Sequence, residues 1–139
     1  MTFAFKSAAA IAAAAAALLA ASPALGAPVV LTSTMSGAAG PDGSATIRVE
    51  IEPALGDFCY VLAFKGLGAV TDAVVLPADA APDAKPLLSL ELTGVETDAC
   101  VAAEPDLLKP IAGDPGKYQV VVRSKSLPQG AVKGVLARQ

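Results

Sequence analysis

The 139-residue chain carries ten Lys and Arg, thirteen Asp and Glu and no histidine, for a net charge of −3. That balance argues against a nucleic-acid binder, which needs clustered cations to neutralise phosphates, and it supplies no polybasic patch for an anionic membrane. The length allows one domain, and the missing imidazoles remove the commonest general base and metal ligand.

The first element in the chain is a leader. Lys6 is followed by the run Ala8 to Ala21, made only of Ala, Ile and Leu, and then by Ser22-Pro23-Ala24-Leu25-Gly26-Ala27. A basic start, a short apolar run and a small-residue exit form the pattern of a secretory signal peptide. The competing reading is a membrane anchor, which needs roughly 20 apolar residues; this run is shorter and mostly alanine. Cleavage after Gly26 places small residues at the last and third-last positions. Ala24 offers a second site, and Ala27 a poor one, because Leu25 and Pro28 would flank it. The expected organisation is a signal peptide over residues 1–26 and one β domain over 27–139. Loss of Lys6 leaves nine cations against thirteen anions, a net charge of −4. The destination is the periplasm or the extracellular space.

Short alternating segments punctuated by Gly, Pro and Asp then predict an all-β domain, an antiparallel sandwich or barrel-like fold. Val29 to Met35 is the first strand candidate. Ala45 to Glu52 is the clearest: Ala45, Ile47, Val49 and Ile51 share one face, while Thr46, Arg48, Glu50 and Glu52 share the other. Period two with one dry and one wet face means a half-buried antiparallel strand. Gly40-Pro41-Asp42-Gly43 turns into it and Pro53 to Asp57 turns out of it. Phe58 to Lys65 is apolar on both faces, which predicts a central strand. Further candidates are Val70 to Leu76, Leu87 to Leu92, Tyr118 to Arg123 and Ala131 to Ala137.

The segment Pro77 to Pro86 has three prolines and little to bury, so it is expected as a surface loop. Leu107, Leu108 and Ile111 share a face at helical spacing, predicting one short helix over 105–112, with Gly113 at its end. Pro110 limits that helix to one or two turns. Two cysteines, Cys59 and Cys100, fall in the exported part. An even count in an oxidising compartment points to one disulfide, and no Cys-x-x-Cys spacing marks a redox pair. Closing a loop of about 40 residues stabilises by about 4 kcal/mol in the chain-entropy description.

The run Gly113-Asp114-Pro115-Gly116-Lys117-Tyr118-Gln119-Val120-Val121-Val122, followed by Leu127-Pro128-Gln129-Gly130-Ala131-Val132-Lys133-Gly134-Val135-Leu136, resembles the closing signature of the CHRD domain. This module, named after chordin, also occurs in exported bacterial proteins. Leu31 to Gly37 resembles its opening strand, and Gly56 to Leu62 its cysteine-bearing strand. The family usually carries Ala-His-Ile-His on the strand after that one and a third histidine on the strand of the closing signature. Here Val74 and Leu76 stand in place of the first two, and Arg123 in place of the third. Apolar side chains ligate no cation. Whatever chemistry the resemblance implies for those histidines is therefore expected to be absent, and the stretch is read as packing.

Other candidate chemistries have plainer readings beside them. Asp72, Asp79 and Asp83 could offer oxygens to calcium, but they lack the spacing of a calcium loop. Gly113 to Lys117 lacks the full phosphate-loop pattern and reads as a helix stop with a turn. Ser124-Lys125-Ser126 would need a base on the same face, and strand neighbours point to opposite faces. Arg48, Lys65, Arg123, Lys125 and Lys133 offer a basic face for an acidic partner, or simply solvated strand residues. The expectation is an exported structural or protein-interaction module that needs no cofactor, has no catalytic activity of its own, and has another exported or envelope protein as its partner. The alternative is a metal-handling or hydrolytic protein using carboxylates and Lys.

Overall fold

Alternation of apolar and polar residues builds most of the strands where the sequence places them. A computed structural model describes residues 27–139; the expected signal peptide, residues 1–26, lies outside the described residues. In chain order the strands are β1 (Val29–Met35), β2 (Ser44–Glu52), β3 (Asp57–Lys65), β4 (Val70–Pro77), β5 (Leu88–Leu90), β6 (Glu96–Ala102), β7 (Tyr118–Ser124), β8 (Val132–Val135) and β9 (Ala137–Arg138), with helix α1 (Pro105–Gly113) between β6 and β7. All the named strand pairs are antiparallel. The fold is an all-β sandwich with one short helix.

The strands form two sheets. Sheet A has the order β6-β3-β2-β1-β9 and sheet B the order β5-β4-β7-β8. Their inner faces share one core. Leu31, Ile47, Val49, Ile51, Phe58, Tyr60 and Leu62 come from sheet A, and Ala73, Val75, Leu90, Val120 and Val122 from sheet B. Helix α1 adds Leu108 and Ile111 to that core. The helix is one residue longer than expected and accommodates Pro110 inside it. Arg138 Nη2 donates to the carbonyls of Ala112 (3.1 Å) and Gly113 (3.3 Å), so a cation caps the helix C-terminus, where unpaired carbonyls gather.

The expected last strand, Ala131 to Ala137, is broken in two. β8 pairs with β7, whereas β9 pairs with β1, so the chain leaves one sheet and joins the other at Leu136. A bridge between Ser36 and Lys133 completes this seam. Gly134 is required there: any side chain would collide with Ser33 Oγ and the Thr34 carbonyl on β1. The sandwich is thus closed along β1 and open between β5 and β6.

Two further strands depart from expectation. Leu87 to Leu92 shortens to Leu88–Leu90, and Glu96–Ala102 is a strand that the alternation did not reveal. β3 is interior in its sheet, as expected, but its second face is not a core face. Val61 remains 37% exposed, and Cys59 and Ala63 are half-buried. Cys59 stands opposite Cys100 in the β3–β6 register, and the two form a disulfide on that outward face.

Candidate functional site

The outer face of sheet B holds the three positions the resemblance singles out. β4 and β7 pair Asp72 with Arg123, Val74 with Val121, and Leu76 with Gln119. Period two sends all six of these side chains to one face of the sheet. Val74, Leu76 and Arg123, which span nearly 50 residues of sequence by a rough count, are thereby neighbours across one strand pair.

An outer sheet face is ordinarily wet. This one is dry at its centre: Val74 is 1%, Leu76 0% and Val121 2% exposed, forming a small cluster separate from the main core. The cover is the segment 77–86, which crosses the face between β4 and β5. Ala80 and Ala84 pack on the cluster. The loop expected to bury little is therefore a strap, and its small residues suit a close approach to the sheet. Turns closed by Ala80 N to the Pro77 carbonyl (3.0 Å) and Ala84 N to the Ala81 carbonyl (2.9 Å) shape it. The three prolines limit the freedom that the segment loses on ordering.

Arg123 fastens the strap. Its Nη2 donates to the Pro82 carbonyl at 2.7 Å, and its Nη1 reaches Asp72 Oδ2 at 3.2 Å. The Arg123 side chain is only 14% exposed, so this ion pair is better shielded from solvent than Arg48–Glu50, where both side chains are nearly half exposed. A planar guanidinium can serve a carbonyl and a carboxylate at once, which a lysine ammonium does less well. Gln119, 6% exposed, donates its side-chain amide to the Pro77 carbonyl at 3.2 Å and holds the start of the strap.

Beside the strap lies a cleft of about 260 Å³. Asp79, Ala80 and Pro82 of the strap line it, together with Gln119 and Val121 of β7, the segment Ser36 to Ala38 and the segment Gln129 to Lys133. Such a cleft can offer hydrogen bonds from amides, one carboxylate and one ammonium. It contains neither imidazole nor thiol, and both cysteines sit in the disulfide on the other sheet.

The remaining expected groups are not assembled. Asp72 is engaged by Arg123, while Asp79 and Asp83 are exposed on the strap. Among the described residues, no group of three His, Cys, Asp or Glu could hold a metal ion. Ser124 is buried, and its Oγ accepts from the Leu127 amide at 3.2 Å, so it stabilises the turn before Pro128. Lys125 is exposed on that turn. The basic face does not form: Arg48 projects from sheet A and pairs with Glu50 at 2.9 Å, while Arg123 and Lys133 belong to sheet B.

Gln119, Val121, Lys133 and the Pro82 carbonyl were not anticipated as members of this site. The alternation of Tyr118 to Arg123 already places Gln119, Val121 and Arg123 on one face. A cation there, with Asp72 on the apolar candidate strand Val70 to Leu76, is the signal that could have joined the two strands. A comparison with protein families, with curated proteins and with solved structures returned no match.

Proposed function

We propose that this chain is an exported CHRD-like module with a structural or protein-interaction role and no catalytic activity of its own. One observation carries the reading. The positions where the resemblance expects histidines hold Val74 and Leu76, both sealed under a strap, and Arg123, which spends its guanidinium on holding that strap. The side chains pack and clamp, and a cation would find no donor atoms on Val74 or Leu76. A surface disulfide between neighbouring strands accords with an oxidising compartment, as does the leader sequence. The partner on this reading is another exported or envelope protein.

Two measurements test it. Elemental analysis of the purified mature protein, with thermal shifts in calcium, copper and zinc, should find no stoichiometric metal and no stabilisation. A stoichiometric metal overturns the reading in favour of a metal-handling protein. Expression of the full chain followed by cell fractionation should yield exported material whose first residue is Ala27. Full-length material retained in the cytoplasm would remove the export half of the proposal.

A further inference from the structure

The edge of sheet A formed by β6 presents a row of main-chain groups with a definite geometry. In the β3–β6 ladder the Ala103 amide donates to the Gly56 carbonyl (2.8 Å) and the Phe64 amide donates to the Val95 carbonyl (3.0 Å). Antiparallel pairs alternate between hydrogen-bonded and non-bonded positions. Residues 95, 97, 99, 101 and 103 therefore turn their polar groups toward β3. Glu96, Asp98, Cys100 and Ala102 turn theirs away from it, and among the described residues no strand pairs with that side. Their side chains are all exposed on the outer face.

A long open edge is a template for another strand. We infer that β6 pairs antiparallel with β6 of a second copy of this chain, joining two A sheets across a twofold axis at Ala99. The charges along the edge leave a second copy one register free of directly facing carboxylates. Only Glu96, Asp98, Cys100 and Ala102 can exchange hydrogen bonds across the new edge, so the symmetric registers shift in steps of two. Centring on Asp98 sets that carboxylate against its own copy. Centring on Cys100 sets Glu96 against Glu104. Centring on Ala99 pairs Glu96 with Ala102 and Asp98 with Cys100, so every carboxylate meets an uncharged residue. On the inner side Thr97 then meets Val101, Ala99 meets Ala99, and Val95, 71% exposed in one copy, meets Ala103.

This register forms about eight main-chain hydrogen bonds, four residues in each chain exchanging two per pair. It also covers the half-buried Ala99 and Val101 at the open side of the sandwich. The Cys59–Cys100 disulfide holds β6 on its own sheet, so the edge is ordered before it meets its partner. The contact is isologous and closes after two copies. It is independent of how the outer face of sheet B is read.

Sedimentation equilibrium of the mature protein over a concentration series is the test. The wild type should be a dimer at micromolar concentration. Asp98→Pro removes an amide hydrogen that faces only the open edge, leaves the β3 ladder intact, and should weaken dimerisation about tenfold or more, with an unchanged circular dichroism spectrum. Ala102→Glu faces Glu96 of the second copy and should weaken the dimer about fivefold, whereas Ala102→Lys should strengthen it by a similar factor. Both Ala102 substitutions lie on an exposed edge and leave the core alone. A wild type that stays monomeric up to about 100 μM overturns the inference, taking ordinary dimer affinities as the standard. So does an equal response to Glu and Lys at position 102.

Discussion

On sheet A the outward residues Thr32, Arg48, Val61 and Asp98 stand in one cross-strand row and meet solvent. On sheet B the row through Val74 and Val121 lies beneath a strap and is as dry as the core. The strands beneath the two rows are similar in composition, since both β3 and β4 carry apolar residues on both faces. What separates them is the segment that follows. After β3 the chain turns directly into β4 through Gly66 and Gly68. After β4 a ten-residue proline-rich segment folds back across the sheet it has left. Sheet A receives a covalent tie in place of a cover. A continuous apolar run thus marks a strand that is covered, or one that is braced from outside, and the connecting loop decides which.

A matched pair of substitutions breaks this comparison most directly. Leu76→Asp puts a charge under the strap with no partner and should lower stability by about 3–5 kcal/mol in urea unfolding. Val61→Asp, on the open face between Arg48 on one side and Asp98 on the other, should cost no more than about 1 kcal/mol. Equal losses at the two positions would mean that the outer faces do not differ as described.

The covalent tie comes next in size. Replacing Cys59 and Cys100 together by Ser should lower stability by about 2–4 kcal/mol, and adding reductant to the wild type should reproduce most of that loss. Amide exchange should quicken along β6 first, because it is an edge strand and within one copy β3 alone pairs with it. No change in the unfolding midpoint would show that the tie is dispensable to sheet A.

Arg123→Ala addresses the clamp on sheet B. It deletes a charge-assisted bond to the Pro82 carbonyl and leaves Asp72 without its cation, for an expected loss of about 1–3 kcal/mol. The informative readout is local: exchange should rise in residues 78–84 and stay constant in β6. Arg123→Lys should recover little, since one ammonium does not span both partners. Protection that persists over 78–84 in the Ala variant would mean that the alanine contacts hold the strap unaided.

How far the sequence carries depends on how each residue is covered. β2 is legible residue by residue because one of its faces is core and the other solvent. β6 was hidden because its inward residues, Thr97, Ala99 and Val101, are small and its outward ones include Glu96 and Asp98, so the alternation has little amplitude. The break between β8 and β9 was hidden for another reason: Val132, Val135 and Leu136 read as one apolar run, and only pairing with two different sheets divides it. At the candidate site, Val74 and Leu76 were legible as packing residues. The strap was not, because alanine and proline look like solvated loop until a sheet face with Val121 on it is placed beneath them. The partners of Arg123 are a carboxylate 51 positions away and a main-chain carbonyl, and the second leaves no trace in residue types.

The smallest expected effect concerns the open side of the sandwich, where the chain crosses from β5 to β6. Tyr60 is 2% exposed, and its hydroxyl donates to the Glu91 carbonyl at 2.9 Å, pinning that crossing. Burial raises the phenol's pKa above its ordinary value of 10.0, and the Glu91 carboxylate adds to the shift. The unfolded chain therefore releases this proton at lower pH than the folded one. The stabilising contribution is fully present below pH 10 or so and disappears as pH rises through the folded pKa. Tyr60→Phe should cost about 1 kcal/mol near pH 8, where the hydroxyl only supplies a hydrogen bond. Above about pH 10 the wild type loses stability that the Phe variant keeps, so the gap between their melting temperatures should narrow and then reverse. Lysines titrate in the same range in both proteins, and taking the difference between the two melting curves removes them. A gap that stays constant from pH 8 to 11 would show that Tyr60 releases its proton as readily in the folded chain as in the unfolded one, and that water reaches the open side between β5 and β6.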